Sequence, residues 1–221
     1  GPGEAGQGVR SFDIPHIEID GDIVANLKLD GVSAEWNGKF LDPADEEFEI
    51  EGGSYLKWVN GTSNGCIIGD SGRLIAHGCT IKGDGYSTAV GGALNVFGGP
   101  SYAYLEMHDC IIESTNEDVA AIQLTEETDS FLYGCSLKTP SAGTNIGTTG
   151  ILVYNPSNAS MNLNNCTIIT DEDGTGTAKC IDSNQAQTVY IQGTLNATHG
   201  ADSNITFAGG SVITNTGFEV P

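Results

Sequence analysis

Basic residues are scarce in this chain: 8 lysines and arginines stand against 29 aspartates and glutamates in 221 residues, a formal charge of −21. Arg10 and Arg73 are the only guanidinium groups. That excludes nucleic acid as a partner, because phosphate contacts draw on Lys and Arg. A surface of anionic lipid is disfavoured for the same reason. No run of about eighteen apolar residues occurs, so no membrane-spanning helix and no membrane insertion is expected. Proline (7), methionine (2) and tryptophan (2) are few, whereas glycine numbers 31. Turn-rich chemistry with few strong helix formers suits an all-β chain.

What the sequence does contain is a repeat. The segments Leu74–Ile81, Leu105–Ile112, Ser130–Leu137 and Met161–Ile168 align on Cys79, Cys110, Cys135 and Cys166. Each cysteine is followed two residues later by Ile or Leu. Each is preceded by Gly78, Asp109, Gly134 or Asn165, the residue types that tolerate a left-handed backbone. Three and five residues before the cysteine stand Ala76 and Leu74, Met107 and Leu105, Leu132 and Ser130, and Leu163 and Met161. The spacing predicts a short strand, a one-residue left-handed corner that breaks the alternation, and a second strand that resumes with cysteine facing in.

A second marker keeps the same period. Ile67, Leu94/Val96, Ile122/Leu124, Leu152/Tyr154, Ile181 and Ile205/Phe207 read as the inward positions of another strand, with polar residues such as Asn95, Gln123 and Asp182 between or beside them. The cysteines recur at 31, 25 and 31 residues, and this strand recurs at 24 to 30. Recurrence at this period means a solenoid. The expected fold is all-β, a single-stranded right-handed parallel β-helix of about seven coils. Residues 1–11 read as an N-terminal arm, and 12–221 as the β-helix domain with regular coils at about 60–210. Phe12–Ile19 alternates like a strand in imperfect register and is expected to pair with, or lie across, the end of a neighbouring subunit. The acid-dense stretch Asp42–Glu51 reads as a solvated edge, opened by a helical turn at Pro43.

Six cysteines would suggest three disulfides in a secreted chain. Here Cys79, Cys110, Cys135 and Cys166 form an inward ladder at about 4.8 Å per coil. Neighbours in it are within bonding reach, but buried free cysteine packs well as a hydrophobe, and free thiols are expected. Cys66 and Cys180 are read at matching positions four coils apart, about 19 Å, too far to bridge.

The Asn-Cys-Thr-Ile corner at 165–168, the left-handed position within it and the period near 28 resemble the right-handed parallel β-helix superfamily, the pectin-lyase-like solenoids, over residues 60–210. That resemblance implies architecture; its members include polysaccharide lyases and hydrolases, phage tailspikes and bacterial adhesins. Gly91-Gly92-Ala93-Leu94 is similar to one half of the motif in polymorphic outer-membrane-protein adhesin repeats, whose Phe-x-x-Asn half is missing here. The superfamily's polygalacturonase-like signatures Asn-Thr-Asp, Gly-His-Gly and Arg-Ile-Lys do not occur; Ala76-His77-Gly78 is the nearest fragment. Pectate-lyase-like enzymes use an arginine base beside calcium-binding acids, and Arg73 is the one arginine in the regular coils.

Two constellations remain. The residues two before each cysteine, His77, His108, Tyr133 and Asn164, should form an outward column beside Phe131. It reads either as cover for its own strands or as a contact face for a sugar ring or another subunit. Two histidines without a third ligand do not make a metal site. Asn60, Asn158, Asn196 and Asn204 open sequons and are candidate glycosylation sites, while Asn165 is better suited to the corner. Asp171 and Asp173, in an Asp-Glu-Asp-Gly run, are a calcium candidate that lacks the remaining ligands of a calcium loop. No other cofactor is expected. Absent catalytic motifs favour a non-catalytic extracellular solenoid at a cell or virion surface. It would assemble end to end or side by side with copies of itself, with glycans as a further partner class. The alternative is a carbohydrate-active enzyme or a tailspike-like module.

Overall fold

The computed structural model describes residues 14–37, 40–42, 47–58, 66–70, 72–83, 92–98, 102–115, 120–125, 127–139, 149–154, 160–170, 179–183, 188–199, 205–206 and 212–216. Within these the chain is all β, without a helix, in one sheet of 14 strands and one of 7. Every strand pair is parallel. Through the middle of the chain each strand pairs with strands a full round away, never with its sequence neighbour. Ala103–His108 lies between Arg73–His77 and Thr128–Tyr133. Ile111–Ser114 lies between Thr80–Gly83 and Ser136–Lys138. Gly92–Gly98 lies between Cys66–Asp70 and Ala120–Thr125 in the smaller sheet. The larger sheet thus has two limbs, joined where Ser160–Thr170 runs through the corner and pairs with both Thr128–Tyr133 and Ser136–Lys138. Long parallel sheets wound in this way are compatible with a β-solenoid.

The corner between the limbs is a backbone device. Gly78, Asp109, Gly134 and Asn165 all have positive φ, at 56°, 52°, 63° and 51°. The N–H groups of Gly78, Asp109 and Gly134 donate to the carbonyls of His108, Tyr133 and Asn164 in the next round, each at 2.8 Å. One residue later the carbonyls of Cys79, Cys110 and Cys135 accept from Ile111, Ser136 and Thr167 at 2.9, 2.8 and 2.8 Å. The corner therefore turns the side chains over while these backbone groups stay paired between rounds. It carries Cys79, Cys110, Cys135 and Cys166 into the core as free thiols. Around them Leu74, Ile81, Leu105, Ile112, Leu137 and Ile168 are fully buried. Each such aliphatic side chain contributes about 1.5–3 kcal/mol relative to exposure.

The same rounds continue N-terminally, where the cysteine marker is missing. Leu27–Asp30 and Ser33–Asn37 turn at Gly31, and Glu47–Glu51 and Tyr55–Trp58 turn at Gly52 and Gly53, all three with positive φ. The carbonyls of Val32 and Ser54 accept from Tyr55 and Thr80 at 2.9 and 3.0 Å, which places Val32 and Ser54 in the cysteine column. The Ser54 hydroxyl, wholly buried, donates to the Glu51 carbonyl at 2.6 Å and accepts the Val32 N–H at 3.2 Å. At the other end Cys166 is in register with Leu195. Cysteine occupies only the middle of a column whose real requirement is a small or apolar side chain.

Several sequence expectations are corrected. Phe48 and Ile50 are fully buried and their strand lies inside the larger sheet between Leu27–Asp30 and Arg73–His77, so Glu47–Glu51 is not a solvated edge. The helical turn at Pro43 lies outside the described residues. In the smaller sheet Ile122 and Leu124 face Ile151 and Val153, so Leu152 and Tyr154 are one residue out of phase. Cys66 aligns with Leu94, Ile67 with Asn95 and Ile68 with Val96, so Ile67 is one residue out of register with Leu94. The same ladder runs from Leu94 through Ile122 and Ile151 to Ile181, so Cys66 matches Ile181 and not Cys180. Asn95 and Gln123 are not surface residues but are 5% and 6% exposed. His16–Asp20 pairs with Ser33–Asn37 of its own chain, so this segment is a terminal strand of the larger sheet.

Candidate contact face

The first limb presents three outward columns, because alternate residues of each strand face away from the core. Register puts Arg73 beside Tyr104 and Asp129; Ile75 beside Glu106 and Phe131; and His77 beside His108 and Tyr133. The expected strip of His77, His108 and Tyr133 therefore exists, with Phe131 alongside it. The rings of His77 and His108 stack at 4.7 Å and 16°, and those of His108 and Tyr133 at 4.6 Å and 15°. That geometry uses up the ring faces. His108 is covered on both sides, and the strip shows solvent its ring edges, which is unlike a platform for stacking a sugar.

Arg73 and Tyr104 belong to the same patch; sequence reasoning weighed Arg73 only as a lyase-type base and missed Tyr104. The signal was present: Arg73, Tyr104, Asp129 and Ser160 are the residues six before each cysteine. The Arg73 guanidinium lies 5.0 Å from the Tyr104 ring centroid and 3.6 Å from a Glu47 carboxylate oxygen. The Tyr104 and Phe131 rings meet at 5.5 Å, tilted by 39°. Ser160 donates to Asp129 at 2.6 Å.

Glu106 is the centre of the patch. Tyr104 Oη donates to its Oε2 at 2.5 Å, and His108 Nε2 lies 2.8 Å from its Oε1. A carboxylate only accepts, so His108 carries its proton on Nε2. The hydrogen bonds from Tyr104 and then His108 hold the Glu106 carboxyl below its ordinary range. Partial burial, with the bond to Glu106 second, pushes Tyr104 up to about 12. With both oxygens engaged, Glu106 is a tied-down acceptor and offers neither a free nucleophile nor a proton donor.

This predicts an alkaline signature. Tyr104 is raised in the fold, so its stabilisation is complete below the unfolded value of about 10. It is lost as pH rises through the folded value of about 12. The melting temperature of the wild-type chain should fall across that window, and Tyr104→Phe should flatten this part of the profile. Parallel wild-type and Tyr104→Phe profiles would remove Tyr104 from the account.

Several bases on the two limbs pair with acids of neighbouring strands. Lys28 bridges Glu49 at 2.9 Å and Glu51 at 2.7 Å, lowering Glu49 through its hydrogen bond and raising its own value. On the second limb Lys57 meets Glu35 at 3.0 Å and Lys82 meets Glu113 at 2.9 Å. Lys28, Lys57, Arg73, Lys82 and Lys138, most of the 8 bases, lie on these limbs. Exposed pairs are worth at most about 1 kcal/mol each. Their arrangement matters more, because they join successive rounds of an acidic stack.

Among the described residues no three His, Cys, Asp or Glu side chains come together as a metal site. Asp171, Asp173, Asn60, Asn158 and Asn204 lie outside the described residues. Asn196 lies in Thr188–His199 in register with Thr167. Asn165 is the corner residue itself. Comparison with family models, with curated proteins and with solved structures finds no match.

Proposed function

We propose that the chain is a right-handed parallel β-helix of about seven coils, of the pectin-lyase-like kind, and serves as a non-catalytic subunit of an extracellular filament or appendage. The 7 strands of the smaller sheet, one per round, support the coil number. Parallel crossovers are overwhelmingly right-handed, which supports the hand.

The observation that carries the assembly reading is the N-terminal end of the stack. His16–Asp20 and Leu27–Asp30 are the outermost strands of the larger sheet. Ile17 and Ile19 sit in register with buried Ala34 and Trp36, and so point into the core, yet Ile17 is 37% exposed. Ile14 and Val24 nearby are 58% and 59% exposed. Among the described residues no strand pairs with the outer edges of His16–Asp20 and Leu27–Asp30, and a strand edge beside exposed apolar side chains invites another strand. The edge that continues the parallel pairing is the Val212–Thr216 end of a second copy, making the contact head to tail.

Native mass measurement of the full chain and of Ile17→Lys tests this. Multimers should form in the wild type as concentration and salt rise, and the charged variant should stay monomeric under the same conditions. Strictly monomeric wild type would replace the filament reading with a self-capped module. Release of unsaturated products from a polyuronate by the purified chain, lost in Arg73→Ala, would favour the carbohydrate-active alternative.

A further inference from the structure

We propose that Cys79 and Cys110 form a peroxide-sensitive pair that closes to a disulfide and ties two successive rounds of the stack together. Their Sγ atoms lie 3.5 Å apart, with the side chains 3% and 1% exposed. The Cys79 carbonyl accepts the Ile111 N–H at 2.9 Å, which sets the two cysteines side by side in the corner column. Register neighbours in a sheet are about 4.8 Å apart, inside the Cα span of about 4.4–6.8 Å that disulfides occupy. Closure brings the sulfurs to about 2.05 Å by side-chain rotation and a small approach of the strands.

Cys110 Sγ also donates to the His108 carbonyl at 3.1 Å, and among the described cysteines Cys79 and Cys110 are the pair whose sulfurs meet at 3.5 Å. Cys135 directs its thiol to the Met107 carbonyl at 3.4 Å and Cys166 to the Leu132 carbonyl at 3.3 Å. Cys180 lies elsewhere, 3.7 Å from Thr170 Oγ1. Cys110 is flanked in the column by two thiols, and hydrogen bonds from Cys135 and Cys79 pull it below the ordinary thiol value. The bond to Cys110, followed by burial, pushes both neighbours up. Cys110 lies between the other two thiols and has the Cys79 sulfur 3.5 Å away, so oxidation there meets a resolving thiol at once.

The chemistry balances with hydrogen peroxide, an oxidant close to water in size and so suited to a column this buried. The Cys110 thiolate attacks one peroxide oxygen and the O–O bond breaks. Cys110 sulfenic acid forms, and the hydroxide released takes up the thiol proton as water. Cys79 sulfur then attacks the sulfenic sulfur, the S–O bond breaks, and a second water leaves. Two thiols are oxidised to one disulfide while one peroxide is reduced to two waters. The bond joins residues that are 31 apart in sequence, in consecutive rounds otherwise held by backbone pairing, packing and the Lys82–Glu113 ion pair. This inference is independent of the assembly reading.

The test treats the reduced, folded full chain with peroxide at near-stoichiometric amounts, then alkylates, digests and maps it. Before treatment the 6 cysteines should alkylate as free thiols on unfolding. Afterwards the intact mass should be lower by about 2 Da, with one dominant linked pair containing Cys79 and Cys110. The melting temperature should rise by roughly 5–10 °C. Cys166→Ser should leave the link unchanged and Cys110→Ser should abolish it. An unchanged mass, a gain of oxygen without a link, or a dominant link through any other cysteine would overturn the proposal. The wild-type map decides the matter even where a variant fails to fold.

Discussion

Trp36→Ala should destabilise the N-terminal rounds by about 3–5 kcal/mol. Trp36 is wholly buried, with its ring 4.5 Å from that of Trp58 and 5.3 Å from that of Phe48, both contacts edge to face. Its Nε1 donates to the Gly21 carbonyl at 2.9 Å, fixing the chain where it enters the stack. Truncation removes the largest side chain of this end and leaves a cavity that Trp58 and Phe48 cannot both fill. Solenoids unfold by neighbouring units, so the loss should fall first on these rounds. Trp58 then becomes the only tryptophan, and its fluorescence reports the local transition. That transition should move down by roughly 10 °C, ahead of the loss of far-ultraviolet signal. A shift below about 1 °C would mean that Trp36 is not part of a packed core.

Gly150→Val is the second large effect, expected to cost about 3 kcal/mol or more through overpacking. Gly150 lies in Thr149–Tyr154, pressed between two other strands. A Cβ there would stand 2.2 Å from Ile168 Cγ2 and 2.7 Å from the Cys180 carbonyl oxygen. The side chain of Ile168 can turn away, but the carbonyl belongs to the backbone of the next round. Relief therefore requires Thr149–Tyr154 to move away from Lys179–Ser183, its partner strand in the smaller sheet. Gly78→Asn is the matched control: its corner is open and has φ of +56°, a conformation that Asn165 adopts in the same position. Chemical denaturation of both variants should show a large loss for Gly150→Val and a near-neutral Gly78→Asn. Equal effects would contradict the register of the smaller sheet.

The parts of the fold legible in the sequence were those with few chemical solutions. A left-handed corner admits Gly, Asn or Asp, and a rare residue directly after it marks the column, so Gly78-Cys79 and Asn165-Cys166 were readable. Val32 and Ser54 fill the same column with commonplace residues, and the Gly52-Gly53 corner is one residue longer, so the N-terminal rounds were not. In the smaller sheet Ala120–Thr125 is buried along its whole length, which erases the inward-outward alternation that reveals phase. That is why Leu152 and Tyr154 were assigned where Ile151 and Val153 belong. On the contact face, His77, His108 and Tyr133 could be found from their fixed offset to cysteine. Their face-to-face stacking could not, because ring orientation depends on side-chain torsions that no spacing encodes. Glu106 and Tyr104 were separable in sequence, but the hydrogen bond that makes them one unit follows only from their shared strand and outward phase.

The most direct measure of the central claim is particle length by electron microscopy as concentration is raised. The first limb runs through eight strands from Leu27–Asp30 to Val212–Thr216, so one subunit is about 34 Å long at about 4.8 Å per strand. Head-to-tail joining through the end that carries Ile14, Ile17 and Val24 adds eight strand spacings per subunit and predicts rods of constant width whose lengths increase in steps of about 38 Å. Ile17→Lys should give single-length particles. Particles of one length at every concentration, or rafts that widen without lengthening, would contradict it.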